Sequence, residues 1–407
     1  MKVLVVGAGI AGLMAARTLH QHGCDVVLHE AADYIGGHAR TVQLSFPAEL
    51  GVFMHEPLSM HPTMYRLAQE LGIKIQAFPL TFSFEFANEL EWTTVSRARG
   101  RLRDTLIFLR TFFRHIRAGK ALRNAKYIAG LANFFRDMPE RPNYGMSVGE
   151  YAKTCSKEFI DFWLIPHMHC WWGIPPSRAM ECSIDVILDS MKKVASLEQY
   201  IFVDGWNHFL NSIAPPNVVL NQRVEKVVRR DGKVIVDGNE YDHVVLAVPP
   251  NISLDLIEAT PQERSILGAF STKATKVFLH RDASWMPQKQ KWAAINCLSD
   301  DRGETCTFWC GGLFPQKEHV FVTWCDQDAQ PKDIIEEGDF LRTLPTVAYT
   351  KACREIQQLQ GKGGVWYCGA HVHALGSDDV PSLWHENALR SGVQVAEGIM
   401  KCKKSTI

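Results

Sequence analysis

The chain has 407 residues, which at roughly 150 residues per domain suggests two or three domains. Its hydrophobic fraction is 46%, enough for a sizeable core, and no apolar run approaches the roughly 18 residues that span a membrane. Lys plus Arg (44) equals Asp plus Glu (44), so net charge argues neither for nor against a nucleic-acid partner.

In chain order, the start MKVLVVGAGI lacks a signal-peptide cleavage site and reads as the first strand, KVLVV at 2–6. GAGIAG (7–12) follows, then LMAARTLHQHG at helical period with Gly23 as its cap, then DVVLHE (25–30) as a second strand: a βαβ unit. Residues 61–72 read as a short helix, and FSFEF within 81–90 as a strand or hairpin arm. From Arg97 to Lys126 run eight Arg and two Lys against one acid, Asp104, interleaved with Leu106, Ile107, Leu109, Phe112, Phe113 and Ile116: a basic amphipathic helix. Residues 147–197 read as mostly helical, broken by IPHMHCWWGIPP. Residues 217–248 give short strands with an Asp-Gly turn at 231–232, and 274–325 add a second sheet. GGVWYCGA (363–370) is a strand into a loop, and SLWHENALRSGVQVAEGIM is the last helix. Eleven cysteines, with no Cys-x-x-Cys pair, point to reduced thiols and a cytoplasmic protein.

Gly7, Gly9, Ala11 and Gly12 form a GxGxxG turn that follows a strand and opens a helix. The glycines allow the tight turn, the approach of a pyrophosphate and close helix packing, while the helix N-terminus faces the phosphates. Glu30, 18 residues after Gly12, suits ribose hydroxyls. This predicts a dinucleotide site but does not separate NAD from FAD. IGGHART (35–41) does: Gly36 and Gly37 let backbone fold against a ligand, and a cation beside them meets diphosphate oxygens. An NAD dehydrogenase has no need of that loop.

GAGIAGL, HE and IGGHART together resemble the N-terminus of the flavin-containing amine oxidase superfamily. That group includes polyamine oxidases and phytoene desaturases, and its usual loop is Gly-Gly-Arg. Here His38 holds the arginine position and Arg40 lies two residues on, so either is a candidate for the diphosphate. A histidine there would make the contact pH-dependent. VDGWNHFLNSI (203–213) is similar to the family's glycine turn before a helix. The stretch from Val224 resembles the adenine-side strand. VWYCGAHVHALG and SLWHENALRSG resemble the C-terminal flavin motif, which implies that Gly369 approaches the cofactor and that Asn387, Ala388 and Leu389 point amides at the flavin. LHRDASWMP, WAAIN and HENALRSG are similar to predicted FAD-binding proteins associated with cyclopropane fatty acid synthases, which implies an acyl or lipid-like substrate. Nothing resembles a covalent flavin-cysteine motif, so the implied cofactor is non-covalent FAD.

Among groups that could carry chemistry, Lys276 in TKVFLH resembles the lysine that polyamine oxidases place near flavin N5, where a cation would favour reoxidation by O2. Lys273 is the fallback, and a surface lysine the plain alternative. Trp384 resembles the aromatic wall of the substrate site. His55, Glu56, His371 and His373 are weaker candidates. HMHCWW (167–172) suits a strand or loop that walls a substrate pocket, or core packing; it lacks the ligands of a metal site. Cys297, Cys306 and Cys310 read as core thiols. The basic helix at 97–126 is a solvated face, a surface for anionic lipid at a membrane, or a dock for an acyl carrier protein. It lacks the aromatic–basic platform of a nucleic-acid binder.

The expected fold is α/β: a Rossmann-like FAD-binding domain of amine-oxidase type with a discontinuous α+β substrate domain. The FAD domain takes 1–75, 200–250 and 355–407. The substrate domain is mainly helical over 76–199 and sheet-rich over 251–354. The expected reaction passes a hydride from a substrate C–H to flavin N5, giving an imine or alkene, with O2 as acceptor. Alternatives are a double-bond isomerase or desaturase on an acyl chain, and a non-catalytic FAD-binding accessory protein.

Overall fold

The computed structural model describes residues 1–51, 60–78, 81–86, 90–95, 129–130, 143–194, 199–288, 292–300, 303–314, 318–325, 329–372 and 383–405. The basic segment 97–126, His55, Glu56 and His373 lie outside the described residues. The strands used below are β1 Lys2–Val6, β2 Asp25–His29, β3 Thr81–Phe86, β4 Leu90–Val95, β5 Val218–Val219, β6 His243–Leu246, β7 Thr272–His280, β8 Ile295–Asp300, β9 Gly303–Phe308, β10 Phe321–Cys325, β11 Ile334–Thr343 and β12 Val365–Tyr367. The helices are α1 Ile10–Gln21, α2 Ile165–Trp172, α3 Gly205–Ile213 and α4 His385–Ser405.

The first sheet is parallel, in the order β12-β6-β1-β2-β5. Its central strand is apolar on both faces because both faces are covered. Val3 and Val5 pack with α1, α3 and α4. Leu4 and Val6 alternate to the other side, against Val227, Val234, Tyr241, Ile266 and Tyr349. Helices Pro250–Leu256, Pro261–Leu267 and Val347–Glu355 therefore pack on this sheet, although they fall within the stretch expected for the substrate side. The reason is their apolar faces, which include Leu256, Ile266, Tyr349 and Cys353 and meet the same cluster as Leu4. The Asp231-Gly232 turn has positive φ at both residues, as a tight hairpin requires.

The second sheet has seven strands in the order β11-β7-β10-β9-β8-β3-β4, antiparallel except where β8 meets β3. Strand alternation gives it two different faces. Val277, Leu279, Val322, Trp324, Cys306, Phe308 and Phe340 share one cluster, and Phe278 and Cys325 lie in another with Trp285.

IPHMHCWW does not break the helical region. A π-turn at Ile160–Leu164 runs directly into α2, and Gly173 at φ 61° ends it in the left-handed conformation. Pro166, which has no N–H to donate, falls where the π-turn hands over to α2, at the irregular join in the hydrogen-bond ladder. The 11 cysteines are all free thiols. Among the described residues no helix is long and apolar enough to cross a membrane.

Candidate functional site

One cavity of about 490 Å³ runs between the two sheets. At one end it is lined by Gly7, Gly9, Ile10, Ala11 and Glu30, with Gly36, Gly37 and His38 beside them. It is also lined by Cys170, Trp171, Trp172, Phe308 and Trp324, and by Arg342, which lies near His38. Gly369, His371, Trp384, His385 and Ala388 border it from the C-terminal segments.

The glycine end is built by backbone. β1 ends in Gly7 at φ 101°, and α1 starts behind Gly9, which has no capping side chain. The first amides of α1 thus lack side-chain partners and attract an anion. A Cβ on Gly9 would meet nothing within 4 Å, so its open side faces the cavity. Gly36 donates its N–H to Ala8 O at 2.8 Å and bridges to Gly9, which lays the second glycine loop beside the first. Gly36 and Gly37 have φ of 119° and 60°, conformations that an L side chain resists. Gly12 does not line the cavity; its Cβ would fall 1.9 Å from Gly7 O, so it permits packing instead.

Glu30 is held in place by its own neighbours. Oε2 accepts the Ala8 N–H at 2.7 Å and Oε1 accepts the Ala32 N–H at 2.9 Å. Each carboxylate oxygen keeps a further lone pair for a ribose hydroxyl. A turn free of side chains, a bare helix start and a fixed acid together match a dinucleotide, so the residues present fit FAD.

His38 and Arg40 part company. His38 lines the cavity, and its ring lies 5.5 Å from that of Phe340. Enclosure and the nearby Arg342 hold it down to about 4, which favours the neutral ring at physiological pH. Arg40 pairs with Glu336 at 2.9 Å, lies 4.7 Å from the centre of the Tyr34 ring, and does not line the cavity.

The C-terminal loop is fixed by Ser391. Its Oγ accepts from Gly369 N at 2.9 Å and lies 2.7 Å from Ala388 O. Gly369 has φ 149°, and a Cβ there would fall 2.5 Å from the His371 ring. Ala388 lines the cavity, whereas Asn387 does not and Leu389 is fully buried in the core. Val224 is buried beside Val227 and is not a cavity residue. Burial pushes His371 down to about 4 and His385 to about 3, so both imidazoles are neutral. Among the described residues, Trp384 Nε1 and His385 Nδ1 are buried with no hydrogen-bond partner, and both residues line the cavity.

The structure does not bring Lys276 to this cavity. It is exposed on β7 and alternates with the buried Thr275 and Val277, so it projects from the other face of the sheet. Lys273 shares the inner face but is not a lining residue. His167 and His169 are on α2 and turn from the cavity. His167 Nδ1 meets Trp163 O at 2.6 Å with its ring 4.9 Å from Phe84, and His169 Nδ1 meets Ile174 O at 3.1 Å. No group of three or more His, Cys, Asp or Glu that could hold a metal occurs among the described residues. Cys297, Cys306 and Cys310 are buried, and burial raises Cys310 to about 12.

Trp171 and Trp172, at the end of α2, line the cavity as the pocket-wall reading of HMHCWW expects, whereas Arg342 of β11 carried no sequence signal of its place. Glu49 lies beneath α3: its Oε1 accepts from Trp206 N at 2.9 Å and its Oε2 from Thr41 Oγ1, also at 2.9 Å. Glu386 caps helix Pro62–Glu70 by accepting from Thr63 N at 3.0 Å and Met64 N at 3.1 Å. Both acids meet helix starts far away in sequence, so no local signal marks them.

Comparison with known proteins agrees with this geometry. A flavin-dependent L-tryptophan oxidase of Lentzea aerocolonigenes is 32% identical over 134 residues, covering 32% of this chain and 28% of that protein. A probable polyamine oxidase 4 of Arabidopsis thaliana is 24% identical over 312 residues, covering 70% of this chain and 59% of the other. The chain thus spans well under two thirds of either relative. A CLA-producing fatty acid isomerase from P. acnes shares the fold over 98% of both chains, with a TM-score of 0.63 at 14% identity. The family model for flavin containing amine oxidoreductases matches residues 10–337, most of the chain. The chain belongs to that family, and the cofactor of its glycine cradle is non-covalent FAD.

Proposed function

We propose that the chain is an FAD-dependent oxidoreductase that removes hydride from a C–H carbon of a small, largely apolar substrate, leaving an imine or an alkene. The observation that carries this reading is the single cavity joining the nucleotide cradle to a chamber walled by Trp171, Trp172, Phe308, Trp324 and Trp384. FAD, when bound, supplies the hydride acceptor. The chain's own residues do the rest. The start of α1 and Glu30 hold the nucleotide half. The aromatic walls exclude water and pin the substrate by stacking. His371 and His385 border the chamber as neutral imidazoles; held at about 4 and 3 they are weak bases and serve as hydrogen-bonding groups.

The test is anaerobic mixing of the holoprotein with amines, amino acids and acyl chains while the flavin absorbance is followed, with product mass measured afterwards. Bleaching with a product two hydrogens lighter is the expected result. No bleaching and no new product from any substrate class would mean an accessory FAD protein. A double-bond isomerase, giving a product of unchanged mass, is the second reading. What favours it is the outward projection of Lys276, which takes away the cation expected to promote reoxidation by O2. Lys276→Met should accordingly change the O2 reoxidation rate by less than about threefold, well under 1 kcal/mol in the barrier. A large slowing in stopped-flow would restore Lys276 to the site.

A further inference from the structure

Fixed charge is sparse in the chamber. Among the described lining residues the charged side chains are Glu30, Asp339 and Arg342, and the histidines 38, 371 and 385 are neutral. Glu30 belongs to the nucleotide end. Asp339 stands in register with Lys276 on the neighbouring strand. Arg342 is the sole fixed cation, since a guanidinium stays charged at any working pH.

Its setting is specific. Cζ lies 4.1 Å from the centre of the Trp324 ring, and Nη2 donates to Gly51 O at 3.4 Å. Gly173, the residue that ends α2, leaves the room: a Cβ there would fall 2.6 Å from Nε. Trp171 and Trp172 immediately precede it. The guanidinium is therefore held over the Trp324 ring, near Gly51 and His38. A planar fork of donors in that place matches a carboxylate.

We propose that Arg342 anchors the carboxylate of the substrate, so that the substrate class is an amphipathic acid whose apolar part lies along the tryptophans. This rests on the hydride-transfer reading of the same cavity. Trp324 and Gly173 are positioning residues for the anchor. The arrangement selects against a free alkylamine, which would bring a second cation to the guanidinium.

Binding tests this without turnover. The holoprotein is titrated with decanoate, indole-3-acetate and decylamine at pH 7.5, read by perturbation of the flavin spectrum. The acids should bind at least tenfold more tightly than the amine. Arg342→Met should weaken the acids by roughly ten- to a hundredfold, the range of a lost charged hydrogen bond, with flavin content unchanged and decylamine bound more tightly as the like charge is removed. Arg342→Lys, which keeps the charge and loses the fork, should fall between, and it stands in should the methionine variant fail to fold. Unchanged acid affinity in the variants would overturn the proposal. So would preference for the amine, no binding by any of the three, or loss of flavin in both variants, which would put the guanidinium on the cofactor. Flavin bleaching by other substrates would survive each of these outcomes, so failure of the anchor and failure of the oxidoreductase reading are separately visible.

Discussion

Gly12→Val should yield protein that retains less than about a tenth of its flavin and melts several degrees lower, on an overpacking cost of about 1–3 kcal/mol. A Cβ at Gly12 would lie 1.9 Å from Gly7 O and 3.0 Å from Ala247 Cβ. The nearer of these is backbone of the first strand's exit turn, so no rotamer change relieves the overlap. The start of α1 must lift from the sheet, and the amides that meet the diphosphate lift with it. Gly9→Ala is the instructive partner. Gly9 has an ordinary φ of −67° and open space where Cβ would go. Alanine there should leave the apoprotein's melting temperature within a degree or so while still lowering flavin content, because it obstructs the ligand and not the fold. Flavin-to-protein absorbance ratios and thermal melts of the two variants decide the matter. Full flavin content in Gly12→Val would mean that the turn does not govern the site.

The second large effect concerns pH and Glu49. Its carboxyl is enclosed beside a cavity of about 10 Å³, with Thr41 Oγ1 and the Trp206 N–H as its donors. Burial raises it from the usual 4.5 to about 7, against the pull of those hydrogen bonds. A carboxyl raised in the folded state binds its proton more tightly there than in the unfolded chain. Its contribution to stability is thus fully present below about pH 4.5 and is lost as pH rises through about 7. The span corresponds to about 3 kcal/mol. Glu49→Gln keeps an oxygen for Trp206 and carries no charge to bury. Urea unfolding at pH 5.5 and pH 8 should show the stability difference between the two proteins moving in the variant's favour as pH rises, because the buried histidines contribute equally to both and cancel in the difference. Parallel pH slopes for the two proteins would dismiss the idea. The effect bears on the site because Glu49 supports the start of α3, and Trp206 at that start also lines the large cavity.

The nucleotide half was legible because its signals are local. GAGIAG, Glu30 and IGGHART each encode a backbone conformation or a helix start within a few residues, and the structure uses them there. The C-terminal helix and Gly369 were readable for the same reason. The chamber was not, because its walls come from α2, β9, β10 and β11, which meet only through long-range pairing. Lys276 shows how a motif can mislead. In TKATKVFLH the buried positions Thr275, Val277 and Leu279 alternate with Lys276, and period two already places the lysine on the opposite face. Resemblance to a family strand outweighed that alternation. HMHCWW was assigned to a strand or loop from two histidines at i and i+2, but its apolar residues were equally compatible with a buried helix. Arg342 had no sequence signal at all: an arginine on an alternating strand does not say which sheet face or which tryptophan it will meet.

The parallel sheet has a consequence for how the protein is made. β1, which ends at residue 6, lies beside β6, which ends at residue 246, and β6 in turn needs β12 at 365–367. Helix α1 is closed over by α4, where Gly392 would place a Cβ only 2.2 Å from Ala11 O. During synthesis the first βαβ unit therefore leaves the ribosome hundreds of residues before the strands and helix that cover it. Its apolar strand edge and the underside of α1 must wait uncovered, a slow, high-contact-order assembly that invites aggregation. Flavin supply in the cell would then act as a folding ligand for the newly completed chain, and overexpression that outruns it should send the protein into inclusion bodies before any activity is in question.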